Sequence, residues 1–199
     1  MAVFAERGYQ EASMGEIARA AEITPAVIYD HFGSKAELHV TLLEGQTEEL
    51  LHFVAEALTA APRDPTERLR AGVSAFFAFV HDHPFAWRML FRDPPSDPAV
   101  AGAHLRVQRQ ATEAIAGFLG SSGPHSLFRR SVSPLLTEQY AQLLKTAQNG
   151  LASWWYEHQN VPLDALVDRV MEFCWLGLER VADGEGFRES PPPAGRSST

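Results

Sequence analysis

The stretch "EITPAVIYDHFGSKAEL", Glu22 to Leu38, packs three helix signals into one short run. Thr24-Pro25 pairs an N-cap residue with proline at the first helical position, where a missing N–H costs little. Gly33 ends that helix, and Ser34-Lys35-Ala36-Glu37 is a capping box that opens the next. Lys35 therefore falls in a first turn, where the macrodipole is already positive. A cation there implies that an anion arrives beside it.

Working outward, Ser13-Met14-Gly15-Glu16 is another capping box, and Met14, Ile17, Ala18 and Ala21 follow on one face. This predicts a short helix from Met14 to Ala21, a break at Glu22 to Thr24, and a second short helix from Pro25 to Phe32. Ile28 and Phe32, four apart, would face inward. Two short helices joined by a tight turn read as a helix-turn-helix over about residues 13–32. Ala26 and Val27 are small apolar groups able to touch thymine methyls. Tyr29 and His31 carry polar tips on the side away from Ile28, where phosphate oxygens would lie. Lys35 and the free N–H groups of its helix start would seat a phosphate, and Ser13 and Thr24 offer hydroxyls at two other helix starts. With Pro25, these residues are the expected DNA contacts.

The spacing of this segment resembles the DNA-binding domain of TetR-type (tetracycline-repressor-like) transcriptional regulators. Phe4, Gly8, Tyr9, Ser13, Ile17, Ala18 and Ala21 match the first half of that pattern; Tyr29, His31, Phe32, Ser34, Lys35 and Leu38 match the second. The resemblance implies a homodimer whose two reading helices enter the major groove of a palindromic operator. It also implies a small-molecule effector, bound in a C-terminal domain, that releases the DNA, so that the protein would act as a repressor. Tyr29, His31 and Lys35 fall on positions that hold the DNA backbone, and Thr24 to Val27 on the start of the reading helix. Two departures stand out. Family members begin with a basic arm and a full first helix, whereas Met1-Ala2-Val3-Phe4 starts inside that helix, so either the reading frame starts upstream or DNA is bound weakly. Glu22-Ile23 stands where glycine and a smaller apolar residue are usual.

Charge sharpens the second alternative, a TetR-like ligand-binding or interaction protein with lost or weak DNA binding. The net charge is −8, and Arg7, Arg19 and Lys35 face seven carboxylates within the first 45 residues. That balance argues against broad nonspecific attraction to nucleic acid. The single cysteine, Cys174, and the absence of a basic, apolar leader at the start point to a reducing cytoplasm. No apolar run approaches the ~20 residues of a membrane span. No phosphate-binding loop, nucleophile elbow, zinc-protease motif or dinucleotide fingerprint occurs, so neither an enzyme nor a cofactor is expected. His81 and His83, two apart on a helix, point away from each other and cannot clamp one metal ion.

The rest of the chain is helical in period, and the fold class is all-α: an N-terminal DNA-binding domain over 1–45, a larger ligand-binding and dimerisation domain over 46–183, and a disordered tail over 184–199. Helices are predicted over 35–60, 66–83, 84–91, 99–119, 133–158 and 163–182, with "RDPPSDP" (92–98) as a loop and "GSSGPHS" (120–126) as a link. The aromatic run around "HDHPFAWRMLF" is the expected effector pocket, lined by Phe76, Phe79, Trp87, Met89 and Phe91, with His104 or Gln108 as polar contacts. On the last helix, Met171 and Trp175 are placed opposite the apolar stripe. With Trp154 they are the expected dimer contacts, in a four-helix arrangement with the 133–158 helix.

Overall fold

A computed structural model describes residues 1–91, 97–120 and 132–182. Among these residues the chain is helical and contains no strand. The helices are α1 (Ala2–Glu11), α2 (Met14–Ala20), α3 (Pro25–His31), α4 (Lys35–Ala60), α5 (Pro65–Asp82), α6 (Pro84–Phe91), α7 (Pro98–Leu119) and α8 (Pro134–Tyr156). The last helix runs as α9 (Leu163–Val170), a π turn (Met171–Trp175) and α10 (Leu176–Ala182). Residues 92–96 of the expected loop at 92–98, residues 121–126 of the link at 120–126, and the tail at 184–199 lie outside the described residues.

Helix starts follow from local chemistry. Four helices open with one device, a capping side chain followed by proline: Thr24-Pro25, Asp64-Pro65, Asp97-Pro98 and Ser133-Pro134. Each cap accepts a hydrogen bond from an N–H that the helix cannot itself satisfy, and each proline removes another such N–H. Ser13 and Glu16 complete a reciprocal capping box on α2. Gly8 breaks the regular geometry inside α1 at φ 75°, a conformation that side chains disfavour.

Two apolar clusters form. The smaller gathers Phe4, Tyr9, Met14, Ile17, Ile28 and Leu38 from α1 to α4 and takes in Val100 at the start of α7. The larger packs α5, α6, α8 and α9 around Phe77, Phe79, Trp87, Trp155 and Leu166. The helix α4 runs unbroken through both, with Val40 and Leu42 touching each cluster. The boundary expected at residue 45 thus falls inside a rigid rod, and α1 also packs on α6.

The π turn corrects the expected last helix. An i→i+5 turn takes in one more residue than an α turn, so everything beyond it is rotated by roughly 100° relative to a straight helix. Phe173 and Leu176 are turned outward, 82% and 60% exposed, while Leu178 is buried. Trp175 is half-buried and packs against the larger core. Met171 is also buried. It follows Val167 by four positions and therefore stacks one turn above it on the same inward flank, not opposite it.

Candidate nucleic-acid interface and effector cavity

The first site is built on the α2–α3 pair. α2 ends in a Schellman arrangement: the Ile23 N–H donates to the Ala18 carbonyl at 3.0 Å and the Glu22 N–H to the Arg19 carbonyl at 3.1 Å. Glu22 occupies the left-handed position at φ 57°, where glycine would be unstrained. α3 is held by one buried side chain, Ile28. Its other faces are open: Thr24, Pro25, Ala26, Tyr29, Asp30 and His31 are exposed, and Val27 is 40% exposed. The hydroxyl of Thr24 accepts from the Val27 N–H and keeps its own proton for an outside acceptor. Ser13 is less available, because its hydroxyl donates to the Glu16 carboxylate at 2.9 Å and accepts from the Glu16 N–H.

Lys35 is the main correction here. Its ammonium donates to the backbone carbonyls of Tyr9, Gln10 and Ala12 at 2.7, 3.2 and 2.9 Å and lies 4.6 Å from the Tyr9 ring centroid. These are orphan carbonyls at the end of α1, the negative end of a helix. The three N–H donors of the ammonium are all engaged in the DNA-free structure, so here the side chain closes α1. Arg7 is likewise taken up, 2.7 Å from Glu16. The reading face therefore relies on small, hydroxyl and aromatic side chains more than on cations.

The second site is a cavity of about 340 Å³ between α4, α5, α7 and α8. Its walls are almost wholly apolar, with Leu50, Val54 and Leu58 from α4, Leu69 and Val73 from α5, and Ile115 and Phe118 from α7. Phe76 and Phe91 line it as expected. Phe79 and Trp87 do not: they are consumed as core packing. Gln108 is committed elsewhere, its amide donating to the Leu90 carbonyl at 3.2 Å. His104 lies away from the cavity, stacked on His39 at 6.0 Å. The polar lining comes instead from Lys145, Gln148 and Asn149 of α8. A signal for them exists in the sequence: Lys145 and Gln148 interrupt the inward stripe formed by Ala141, Leu144 and Ala152.

Two family models match this chain. The one described as bacterial regulatory proteins, tetR family, covers residues 1–40, and the tetracyclin repressor-like C-terminal domain covers residues 65–177. The chain belongs to the TetR family. Over 182 residues it is 31% identical to the HTH-type transcriptional activator FasR of Mycolicibacterium smegmatis, an overlap of 90% of this chain and 79% of that protein. A TetR-like transcriptional regulator from Rhodococcus sp. RHA1 superposes with a TM-score of 0.70 at 28% identity, covering 89% of this chain and 90% of the other. FadR from Bacillus subtilis, solved in complex with stearoyl-CoA, shares the fold with a TM-score of 0.72 at 18% identity, covering 87% and 92%. The expected all-α fold with an N-terminal helix-turn-helix is what these matches and the helices show.

In this TetR-family regulator the reader is fastened to the cavity-bearing body by a polar junction. The Tyr9 hydroxyl donates to the Asp97 carboxylate at 2.9 Å, and Asp97 also caps α7. Burial and the neighbouring carboxylate push the Tyr9 hydroxyl up to about 12, while the Tyr9 hydrogen bond holds Asp97 below the usual carboxylate range. Behind them His39 is 3% exposed, edge-on to Phe4 at 4.7 Å, and neither ring nitrogen has a protein partner. Burial, reinforced by His104, drives its pKa down to about 4. The TetR-family helices α8 to α10 also carry exposed apolar side chains, Leu143, Phe173 and Leu176, that the sequence pattern did not single out. Trp154 is 45% exposed as expected, but it stacks on His158 at 4.1 Å.

Proposed function

We propose that this regulator binds a palindromic operator as a cytoplasmic homodimer, and that an effector with a long apolar body, held in the α4/α5/α7/α8 cavity, sets its DNA affinity. The observation that carries the DNA reading is the geometry of α3: Ile28 alone holds its inner side, and Thr24 to Val27, Tyr29 and His31 stand free on the outer side. Ala26 and Val27 would meet thymine methyls in the major groove, and Ser13, Thr24, Pro25, Tyr29 and His31 the flanking backbone. With Lys35 bonded to backbone carbonyls and Arg7 paired with Glu16 on the surface, the salt dependence of binding should be shallow. Dimerisation is supported by the exposed apolar surface on the last two long helices, which is unfavourable in water. The apolar lining supports an aliphatic effector, as does the binding of stearoyl-CoA by FadR, which shares the fold.

Family resemblance implies repression with release by the effector. A second reading, activation, is favoured by the name of the 31% identical relative, an activator. The DNA and cavity chemistry is common to both; the sign depends on where the operator lies relative to the promoter. Electrophoretic mobility shift with the regulator's own upstream intergenic DNA, with and without hexadecanoyl-CoA, tests the shared part. A shift that the acyl compound alters supports it. No shift between 50 and 200 mM salt, the range over which phosphate contacts weaken by roughly 10³-fold or more, returns the chain to a ligand-binding protein without DNA binding. A promoter fusion then separates repression from activation.

A further inference from the structure

The cavity is not uniformly apolar. Lys145, Gln148 and Asn149 are spaced i, i+3 and i+4 on α8, so they share one side of that helix and form one polar end of the space. Lys145 is 7% exposed, and its ammonium donates to the Gln108 carbonyl at 2.9 Å and the Thr112 hydroxyl at 2.7 Å. Both partners are neutral, and the Thr112 hydroxyl is itself spent on the Gln142 amide oxygen at 3.0 Å. One of the three ammonium donors is left over, and among the described residues no carboxylate lines the cavity. Gln148 is also 7% exposed, and its side-chain amide makes no hydrogen bond among the described residues. A buried cation without a counter-charge is costly. Burial accordingly lowers the Lys145 pKa.

We infer that this α8 face is a head-group site for a carboxylate, and that the effector is a free long-chain monocarboxylic acid bound with its acid group against Lys145, Gln148 and Asn149. The inference rests on the apolar-body effector proposed above and adds its charge. A carboxylate supplies the missing counter-ion and accepts from the ammonium and both amides, whereas a thioester presents only a neutral carbonyl. The aliphatic walls from α4 and α5 then take the chain.

Direct binding separates the possibilities. Hexadecanoate, its methyl ester and hexadecanoyl-CoA are titrated against the full chain, followed by tryptophan fluorescence and calorimetry. The acid is expected to bind about tenfold or more tightly than the ester, the worth of one charge-assisted hydrogen bond. Lys145→Met should erase that preference. Because Lys145 also ties α7 to α8, Gln148→Leu serves as a second variant that breaks no bond in the protein. It should weaken the acid several-fold and leave the ester unchanged, with an unaltered melting temperature. Equal binding of acid and ester by the unmodified chain, tighter binding of the thioester, or full acid affinity in a folded Gln148→Leu protein would each overturn the head-group assignment while leaving an apolar effector intact. Binding of none of the three overturns both.

Discussion

The Lys35 ammonium lies 2.7 Å from the Tyr9 carbonyl, 26 residues upstream, and so ties the start of α4 to the end of α1. Charged hydrogen bonds of this kind contribute about 1.5–3 kcal/mol. Lys35→Met should therefore lower stability by about 2 kcal/mol. Its effect on DNA should come through folding, so the slope of log K against log salt should stay as it is. Loss of roughly one unit of slope, with stability intact, would restore Lys35 as a phosphate ligand.

Glu22 holds the left-handed position that closes α2. A side chain there costs roughly 1–2 kcal/mol, partly offset because glycine has more freedom to lose on folding. Glu22→Gly is expected to stabilise by about 0.5–1 kcal/mol, a rise of a few degrees in Tm. It also removes a negative charge beside the reading helix, so operator affinity should rise at low salt. An unchanged or lower Tm would show that Glu22 makes a compensating contact.

His39 makes the protein acid-sensitive. Its folded pKa, about 4, lies below its ordinary 6.5, so the unfolded chain takes up the proton first. Stability is complete above pH 6.5 and falls as the pH drops towards 4, by up to about 3 kcal/mol. His104, also lowered by burial, acts in the same direction. In His39→Leu most of that decline should vanish, and stability at pH 7.5 should be equal or higher because two unpartnered nitrogens are removed. Urea midpoints between pH 7.5 and 5 decide it; parallel curves for the two proteins would exonerate His39.

Phe173 is the most exposed large apolar side chain described, and Leu143 stands on the adjoining helix. Phe173→Asp or Leu143→Asp should convert a dimer to a folded monomer in sedimentation velocity. Met171→Asp should unfold the chain, since that side chain is buried within its own subunit. A monomeric unmodified protein at micromolar concentration would remove the dimer from the proposal.

The helix map was readable because capping side chains and prolines act within three or four residues of each other. Ser13, Thr24 and Ser34 are visible as caps without knowledge of the fold. The reading helix was visible for the same reason. The carbonyl partners of Lys35 were not legible, because they are set by how α1 packs on α4, a relation that no local pattern encodes. The cavity was only half visible: aromatic content marks Phe76 and Phe91 together with Phe79 and Trp87, and only packing decides which of them border a space. Met171 needed no structure at all, since a turn-by-turn count from Val167 places it inward.

The π turn has a consequence for how this surface can change. An extra residue looped into a helix leaves the packing before it untouched and re-aims whatever follows. Leu166, Val167 and Val170 precede the turn and lie in the core, whereas Trp175, which a straight helix would aim away from their stripe, packs against the larger core beyond it. Gaining or losing a single residue within 171–175 would thus re-aim the side chains of α10, none of which lines the cavity. Partner choice and effector choice can drift independently in this chain.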